Sequence, residues 1–138
     1  MEVTVSTCFI AVDDHEKALQ FYRDAVGLEV RNDVNFEGMR WLTLGSPEQP
    51  GVSIVLEPPA ADPNTSPADR QALAELMAKG LLRAVLFATN DCDALFERLR
   101  AAGAEVVQEP MDQFYGMRDC AFRDPAGNLL RFQQPKSG

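Results

Sequence analysis

The chain has 138 residues, of which 46% are hydrophobic and 25% are charged, as is typical of one globular domain. Its 13 Lys and Arg against 21 Asp and Glu give a net charge of −8, which argues against nucleic acid as a partner because binding to phosphates needs a basic surface. No apolar run approaches the ~18 residues of a membrane span and no secretory leader begins the sequence, so we expect a cytoplasmic protein without a membrane partner.

The first half of the sequence predicts the order βαβββ. A β-branched and apolar run at 3–12 favours a buried strand. Asp13 or Asp14 supplies the N-cap of a helix over 15–25, and Gly27 ends that helix because glycine readily adopts a left-handed conformation. Three further strands are predicted at 28–35, 39–46 and 51–57.

The second half predicts the same order after a linker. Ser66 and Pro67 begin a connecting helix over 67–79, which ends at Gly80. The elements predicted beyond it are a strand over 81–89, a helix capped by Asp91 and strands near 105–110, 115–123 and 128–133. The predicted fold class is therefore α+β, with two βαβββ modules in one chain (1–58 and 81–138), a linker with a helix (59–80), and curved sheets around a cavity.

The two modules also correspond in sequence. Gly27 and Glu29 correspond to Gly103 and Glu105, and the pattern F-x-G-M-R occurs at 36–40 and again at 114–118. Several matches in the same order indicate an internal duplication whose unit is a half-domain.

The cysteines indicate a reducing compartment. Cys8, Cys92 and Cys120 are an odd number, lie far apart in the sequence and have no CxxC spacing. We expect reduced thiols that pack as small hydrophobic side chains.

Two segments of the chain resemble the vicinal oxygen chelate superfamily. Asp13 to Val30 (DDHEKALQFYRDAVGLEV) resembles the signature of its first module, and Asp124 to Phe132 (DPAGNLLRF) resembles its closing turn and last strand. The superfamily includes glyoxalase I, extradiol dioxygenases, fosfomycin resistance proteins and bleomycin resistance proteins. The resemblance spans nearly the whole chain and implies the fold given above, but a scaffold with several chemistries does not specify an activity.

The resemblance also implies where the metal-using members would hold a divalent ion, through His or Glu side chains on the first and last strands of each module. Those positions fall on Thr7, Val55, Arg131 and Ala84, or on Arg83 in place of Ala84 if the register shifts by one. Such side chains are unsuitable ligands, so we expect no metal and no cofactor. The pattern is closest to the metal-free, bleomycin-resistance-like branch, which implies a homodimer.

Six residues are predicted to bind a small-molecule ligand: Phe36, Trp41, Glu57, Phe114, Tyr115 and Arg118. Glu57 shares a strand face with Val55, where it either receives a cationic group or is a solvated strand end. Trp41 either stacks on a planar ligand or fills the core.

The remaining candidates come from the repeated F-x-G-M-R pattern. Phe114 and Tyr115 follow a loop and favour the rim of a pocket, whereas Arg118 either meets a ligand or pairs with a nearby acid. On one continuous strand, Phe36 and Arg40 would share one face and Trp41 would lie on the other. The sequence does not decide which of these faces lines the cavity.

Three functions are compatible with these features. The favoured one is a metal-independent small-molecule-binding protein that sequesters a cationic aromatic antibiotic, because an acidic protein attracts cations and aromatic side chains stack on planar rings. The alternative is a metal-dependent lyase, epimerase or dioxygenase of the same superfamily. A third is a small interaction domain that works with another protein.

Overall fold

The computed structural model describes residues 1–82 and 84–135. Within these ranges the chain forms three helices and eight strands. Their order and bounds are β1 (Thr7–Ala11), α1 (His15–Leu19, continued by a π-helical segment at Gln20–Val26), β2 (Glu29–Phe36), β3 (Met39–Gly45), β4 (Ser53–Glu57), α2 (Pro67–Ala78), β5 (Leu86–Ala88), α3 (Cys92–Ala101), β6 (Glu105–Asp112), β7 (Met117–Arg123) and β8 (Leu129–Pro135).

The strands form two four-stranded sheets with the same topology. Sheet A has the order β1-β4-β3-β2, and sheet B has the order β5-β8-β7-β6. In each sheet the first strand of the module pairs in parallel with the last, and the other pairs are antiparallel. The predicted fold class is confirmed as α+β with two βαβββ modules, whereas the residue boundaries given for the modules and linker stay a prediction.

The predicted bounds of β1 and β5 differ most from the observed ones. β1 begins at Thr7 rather than at residue 3, and β5 is confined to Leu86–Ala88 within the predicted 81–89. Arg83, the alternative metal position, lies outside the described residues, as do residues 136–138. No helix within the described ranges is long and apolar enough to cross a membrane.

The helix of the first module widens into a π-helix before it ends. The amide of Gly27 donates to the carbonyl oxygen of Tyr22, five residues back, and Gly27 has φ +97°. This positive φ is the left-handed conformation that the sequence predicts at Gly27. The linker helix α2 also follows its prediction, because the Ser66 side chain accepts a hydrogen bond from the Asp69 amide at 3.1 Å.

The hydrophobic core lies on the helix-facing side of both sheets. Along β3 and β4 the buried side chains alternate with half-buried ones, so Leu42, Leu44 and Leu56 pack towards the helices. They belong to one cluster that also contains Leu99 of α3 and Phe122 of β7. A single core therefore joins the two modules.

A buried polar network also joins the modules. Tyr22 Oη donates to Asp124 Oδ2 at 2.6 Å, and Asn128 Nδ2 donates to the same oxygen at 3.0 Å and to the Ala11 carbonyl oxygen at 2.7 Å. Asp124 Oδ1 accepts the main-chain amides of Ala126 and Asn128. The D-P-x-G-N turn is thereby fixed against the first strand and first helix.

Candidate functional site

Each sheet has a second face that no helix covers. We call these surfaces open face A and open face B, and the strand register defines their members. Open face A comprises Phe9, Val34, Phe36, Met39, Trp41, Thr43, Val55 and Glu57. Open face B comprises Leu86, Gln108, Met111, Asp119, Ala121, Arg131 and Gln133.

Open face A is aromatic and largely exposed. Phe9 pairs with Val55 and is 58% exposed, and Phe36 at the end of β2 is 63% exposed. Val34 lies opposite Trp41, which is half-buried. Because large apolar side chains seldom remain exposed together without a partner, this face is a candidate binding surface.

Glu57 adds a carboxylate to open face A. The register pairs Leu42 with Leu56, so the next residues on these antiparallel strands, Trp41 and Glu57, are neighbours on the open side. Partial burial raises the pKa of the Glu57 carboxyl. A carboxylate beside an indole ring suits a cationic group, which both the charge and the ring face attract.

The structure corrects the expected arrangement of Phe36 and Arg40. They do not share a face, because Glu37 and Gly38 form a two-residue hairpin turn with φ +51° and +77°. Phe36 therefore pairs with Met39 across the hairpin and lies on the open face with Trp41, whereas Arg40 points to the helix side. On one continuous strand the two side chains would share a face, but the glycine of the pattern marks a turn.

Arg118 and Arg40 are both engaged on the helix side. The Arg118 guanidinium binds Asp93, at the start of α3, at 2.8 and 2.9 Å, and Asp112 on β6 at 3.2 Å. Arg40 likewise binds Glu16 on α1 and Asp33 on β2. We call these groups the arginine clamps. Arg118 is thus separated from the open faces, and its predicted contact with a ligand has no support in its position.

Open face B carries a polar cluster around Asp119, which has a fully buried side chain. Asp119 Oδ1 accepts hydrogen bonds from Gln108 at 2.7 Å and Gln113 at 3.0 Å, and Oδ2 accepts from Tyr115 at 3.2 Å and Arg131 at 3.3 Å. Burial alone would raise the pKa of Asp119, but these hydrogen bonds and the Arg131 charge outweigh it and hold that pKa below its usual range.

Phe114 and Tyr115 lie at the tip of the β6–β7 hairpin. Their rings meet edge to face with centroids 5.2 Å apart, and both side chains are exposed. The Tyr115 hydroxyl reaches back to Asp119, so this residue belongs to the rim of open face B. The structure thus places Phe36, Trp41 and Glu57 together on one open face and Tyr115 on the other.

The positions that the resemblance assigns to a metal carry side chains that do not suit one. Thr7, Val55 and Ala84 offer no strong donor, and Arg131 brings a positive charge. Within residues 1–82 and 84–135, no group of three or more His, Cys, Asp or Glu side chains could hold a metal ion. His15, the single histidine of the chain, contacts the Leu56 carbonyl oxygen at 3.3 Å instead.

A groove of about 760 Å³ separates the two modules on another side of the molecule. Ile54 and Cys8 line it from sheet A, and Phe87, Leu95 and Arg98 line it from the second module. The Arg98 Nε donates to the Ala25 carbonyl oxygen at 2.7 Å, so this arginine serves the contact between modules. The groove contains none of the predicted ligand-binding residues.

Sequence reasoning missed Phe9, Gln108 and Asp119. Phe9 could have been found from the alternation along the first strand, where it lies two residues after Thr7. Asp119 could have been found from the alternation along the predicted strand 115–123, which places this acid on the same face as Met117 and Ala121. Neither signal identifies the partners, because Gln108 and Arg131 are brought to Asp119 only by strand pairing.

Residues 4–132 match the family described as the Glyoxalase/Bleomycin resistance protein/Dioxygenase superfamily. The chain belongs to this superfamily. It is 31% identical to YurT of Bacillus subtilis (strain 168), over 97% of this chain and 99% of that protein.

Two solved structures share this superfamily fold closely. UcmS2 has a TM-score of 0.86 at 33% identity and covers 96% of this chain and 98% of its own. TnmS3, an antibiotic binding protein from Streptomyces sp. CB03234, has a TM-score of 0.75 at 30% identity and covers 98% of both chains.

Proposed function

We propose that this protein binds a planar, cationic aromatic small molecule on open face A and sequesters it without a metal and without chemical turnover. The observation that carries the proposal is the juxtaposition of Trp41 with Glu57 on an uncovered face that also presents Phe9 and Phe36. The rings supply stacking surface and the carboxylate supplies a counter-charge.

The long-range field of the protein supports a cationic ligand. The net charge of −8 favours the approach of a cation and raises its association rate at low ionic strength. At physiological salt the field is screened beyond ~8 Å, so Glu57 is the charge that acts on the bound ligand. The proposed class of ligand is an antibiotic, because TnmS3, which is similar over almost the whole chain, is an antibiotic binding protein.

A homodimer is part of the proposal. The exposed aromatic residues of open face A, Phe9 and Phe36, form a surface that a second copy would cover. A ligand on open face A would then be enclosed between subunits rather than held on a single sheet. We assign this binding to the cytoplasm, in line with the three free cysteines.

The experiment uses Trp41, the only tryptophan, as a reporter. Bleomycin and an anthracycline, which both combine a cationic group with planar rings, are titrated into the protein by calorimetry and by Trp41 fluorescence. Saturable binding with a change in Trp41 emission is the expected result. A heat of binding without a change in Trp41 fluorescence would mean that the ligand binds away from open face A. Absence of binding for both compounds would contradict the proposed ligand class.

The metal-dependent alternative is tested in the same samples. Mn²⁺, Ni²⁺, Zn²⁺ and Fe²⁺ are added singly, and the unfolding temperature is measured by calorimetry. We expect no saturable stabilisation, because the positions the family uses for a metal are Thr7, Val55, Ala84 and Arg131. Stabilisation at stoichiometric metal would overturn the proposal in favour of a metal-dependent enzyme.

A further inference from the structure

Open face B holds an arginine in a fixed position by means of a buried carboxylate. Both oxygens of Asp119 are occupied, because each accepts two hydrogen bonds from the surrounding side chains. A carboxylate so fully bonded is a rigid support rather than a free ligand-binding group. Gln108 completes the support, since its Oε1 accepts from Arg131 Nη1 at 2.7 Å.

The supported guanidinium keeps unused donors. All hydrogen bonds of Arg131 to the described residues pass through Nη1, which contacts Gln108 and Asp119. Nε and Nη2 donate to none of the residues at 1–82 and 84–135. The Arg131 side chain is 37% exposed, so the fork formed by these two nitrogens is accessible from the open side. Such a fork matches two acceptor oxygens or one anionic oxygen.

Beyond its polar partners, Arg131 also has apolar neighbours on open face B. Its neighbours across the sheet are Leu86 on β5 and Ala121 on β7, and Leu86 is 53% exposed. Met111 lies opposite Asp119 and is also exposed. Leu86 and Met111 lie on the two edge strands of sheet B and expose apolar surface that a flat ring system can contact while its edge meets the guanidinium, whereas Ala121 is fully buried.

From this arrangement we infer that open face B is a second binding site, in which Arg131 binds the acidic oxygen of a planar aromatic molecule: a carboxylate, an enolate or an ionised phenol. The inference goes beyond the proposed function, because it concerns the other sheet and the opposite charge. It also gives a role to the residue that makes the family's metal position unsuitable here: the positive charge that a metal would supply to a substrate oxygen is supplied by Arg131 itself.

Two aromatic probes that differ only in charge test the inference. 2-Naphthoate is an anion at neutral pH, and 2-naphthamide is its neutral counterpart of similar shape. Each is titrated by calorimetry into the native chain and into Arg131→Met, which keeps the length of the side chain but removes the charge and the donors. Arg100→Met is the matched control, since Arg100 on α3 pairs with exposed Glu97 and its removal changes the net charge equally.

We expect the native chain to bind 2-naphthoate at least about tenfold more tightly than 2-naphthamide. Arg131→Met should weaken 2-naphthoate binding by at least about tenfold, or ~1.4 kcal/mol, and should leave 2-naphthamide binding within about threefold. Arg100→Met should bind both probes as the native chain does. Arg131→Lys retains the positive charge but not the paired N–H donors of the guanidinium. Its affinity for 2-naphthoate should lie between those of the native chain and Arg131→Met.

Three results would overturn the inference: no binding of 2-naphthoate, equal binding of the two probes, or full retention of 2-naphthoate binding in a folded Arg131→Met chain. In each case Arg131 would be only a structural partner of Asp119. Circular dichroism establishes that Arg131→Met is folded before it is titrated. The two proposals can fail independently. This one is tested by the binding of an anion at Arg131, whereas the proposed function is tested by the binding of a cation near Trp41.

Discussion

Tyr22 and Asp124 are 102 residues apart in the sequence, yet the tyrosine hydroxyl donates to the aspartate Oδ2 at 2.6 Å in the buried interior. This hydrogen bond connects the helix of the first module with the closing turn of the second. Asn128 extends the connection to the Ala11 carbonyl oxygen on β1. The two modules are therefore held by a specific polar contact in addition to their shared hydrophobic core.

Tyr22→Phe should destabilise the protein by ~1–3 kcal/mol, because it leaves a buried carboxylate oxygen with one fewer donor. Urea unfolding followed by circular dichroism measures the change. Tyr115→Phe removes the other tyrosine hydroxyl, which donates to Asp119 at 3.2 Å from a side chain that is itself exposed, and should cost less. If both variants lost the same free energy of unfolding, the buried Tyr22–Asp124 hydrogen bond would contribute no more to stability than the exposed one.

The stability of the protein should fall at alkaline pH partly through Tyr22. Burial first, and then the adjacent Asp124 charge, raise the pKa of Tyr22 well above its ordinary value. The unfolded chain loses this proton near pH ~10 and the folded chain loses it only at higher pH, so the free energy of unfolding decreases as pH rises above about 10. Tyr22→Phe should show a shallower decrease between about pH 8 and 11. If the free energy of unfolding decreased equally with pH in the native chain and in Tyr22→Phe, Tyr22 would not be the group responsible.

The arginine clamps should give the protein a salt- and acid-sensitive component of stability. Hydrogen bonding to Arg40 lowers the pKa of Asp33, and hydrogen bonding to Arg118 lowers the pKa of Asp93. A lowered folded-state pKa stabilises the protein above the ordinary Asp pKa of ~3.9, and that stability is lost as pH falls through the lowered value.

Arg40→Met and Arg118→Met should each lower the unfolding temperature at pH 7 by less than Tyr22→Phe does, since half-exposed ion pairs contribute little. Differential scanning calorimetry between about pH 7 and 2 should show the native and variant curves converging in acid. If the difference in unfolding temperature between native and variant chains stayed constant over this pH range, the cause would be lost packing of the arginine side chain and not the ion pairs.

Glu57→Gln should weaken the binding of a cationic aromatic antibiotic by about tenfold, provided that open face A is the site. In the native chain, binding should weaken as pH falls, and from a higher pH than for a solvated glutamate, because partial burial raises the Glu57 pKa. Calorimetric titrations at several pH values measure both effects. Glu75→Gln, on exposed α2, is the charge-matched control. Equal weakening in the two variants would indicate only a general effect of net charge.

The three cysteines should differ sharply in reactivity. Cys92 and Cys120 are fully buried, and burial, followed by the neighbouring Cys92, raises the pKa of Cys120 to about 12. Cys8 is half-buried and lines the groove between modules. A thiol reagent such as DTNB should modify Cys8 in the native protein and reach the other two only after unfolding. Rapid loss of either remaining thiol in native Cys8→Ser would contradict the buried positions of Cys92 and Cys120.

The element order and the duplication could be predicted from local signals. Helix ends depend on residues within one turn, so the sequence alone predicts them. Examples are the N-caps Ser66 and Asp91 and the glycine at position 27. The extent of β1 and β5 was overestimated, because an apolar run of β-branched residues does not indicate where its pairing partner ends.

The candidate site was predictable only in part, because strand pairing decides which side chains meet. Glu57 and Trp41 were both identified as candidates, but their adjacency depends on the β3–β4 register. The Asp119 cluster was missed for the same reason. The sequence leaves Arg118 open between a ligand contact and an ion pair, and its contact with Asp93 follows from the packing of α3 against sheet B.

The arginine clamps occur at equivalent places in both modules, whereas open faces A and B have become unlike: one is aromatic with a carboxylate, the other polar with a guanidinium. An artificial tandem of two first modules should therefore keep both helices anchored to their sheets and still lack the guanidinium and the Asp119 cluster of open face B. The duplication that the sequence indicates thus accounts for two spatially similar surfaces that carry different side chains on the same scaffold.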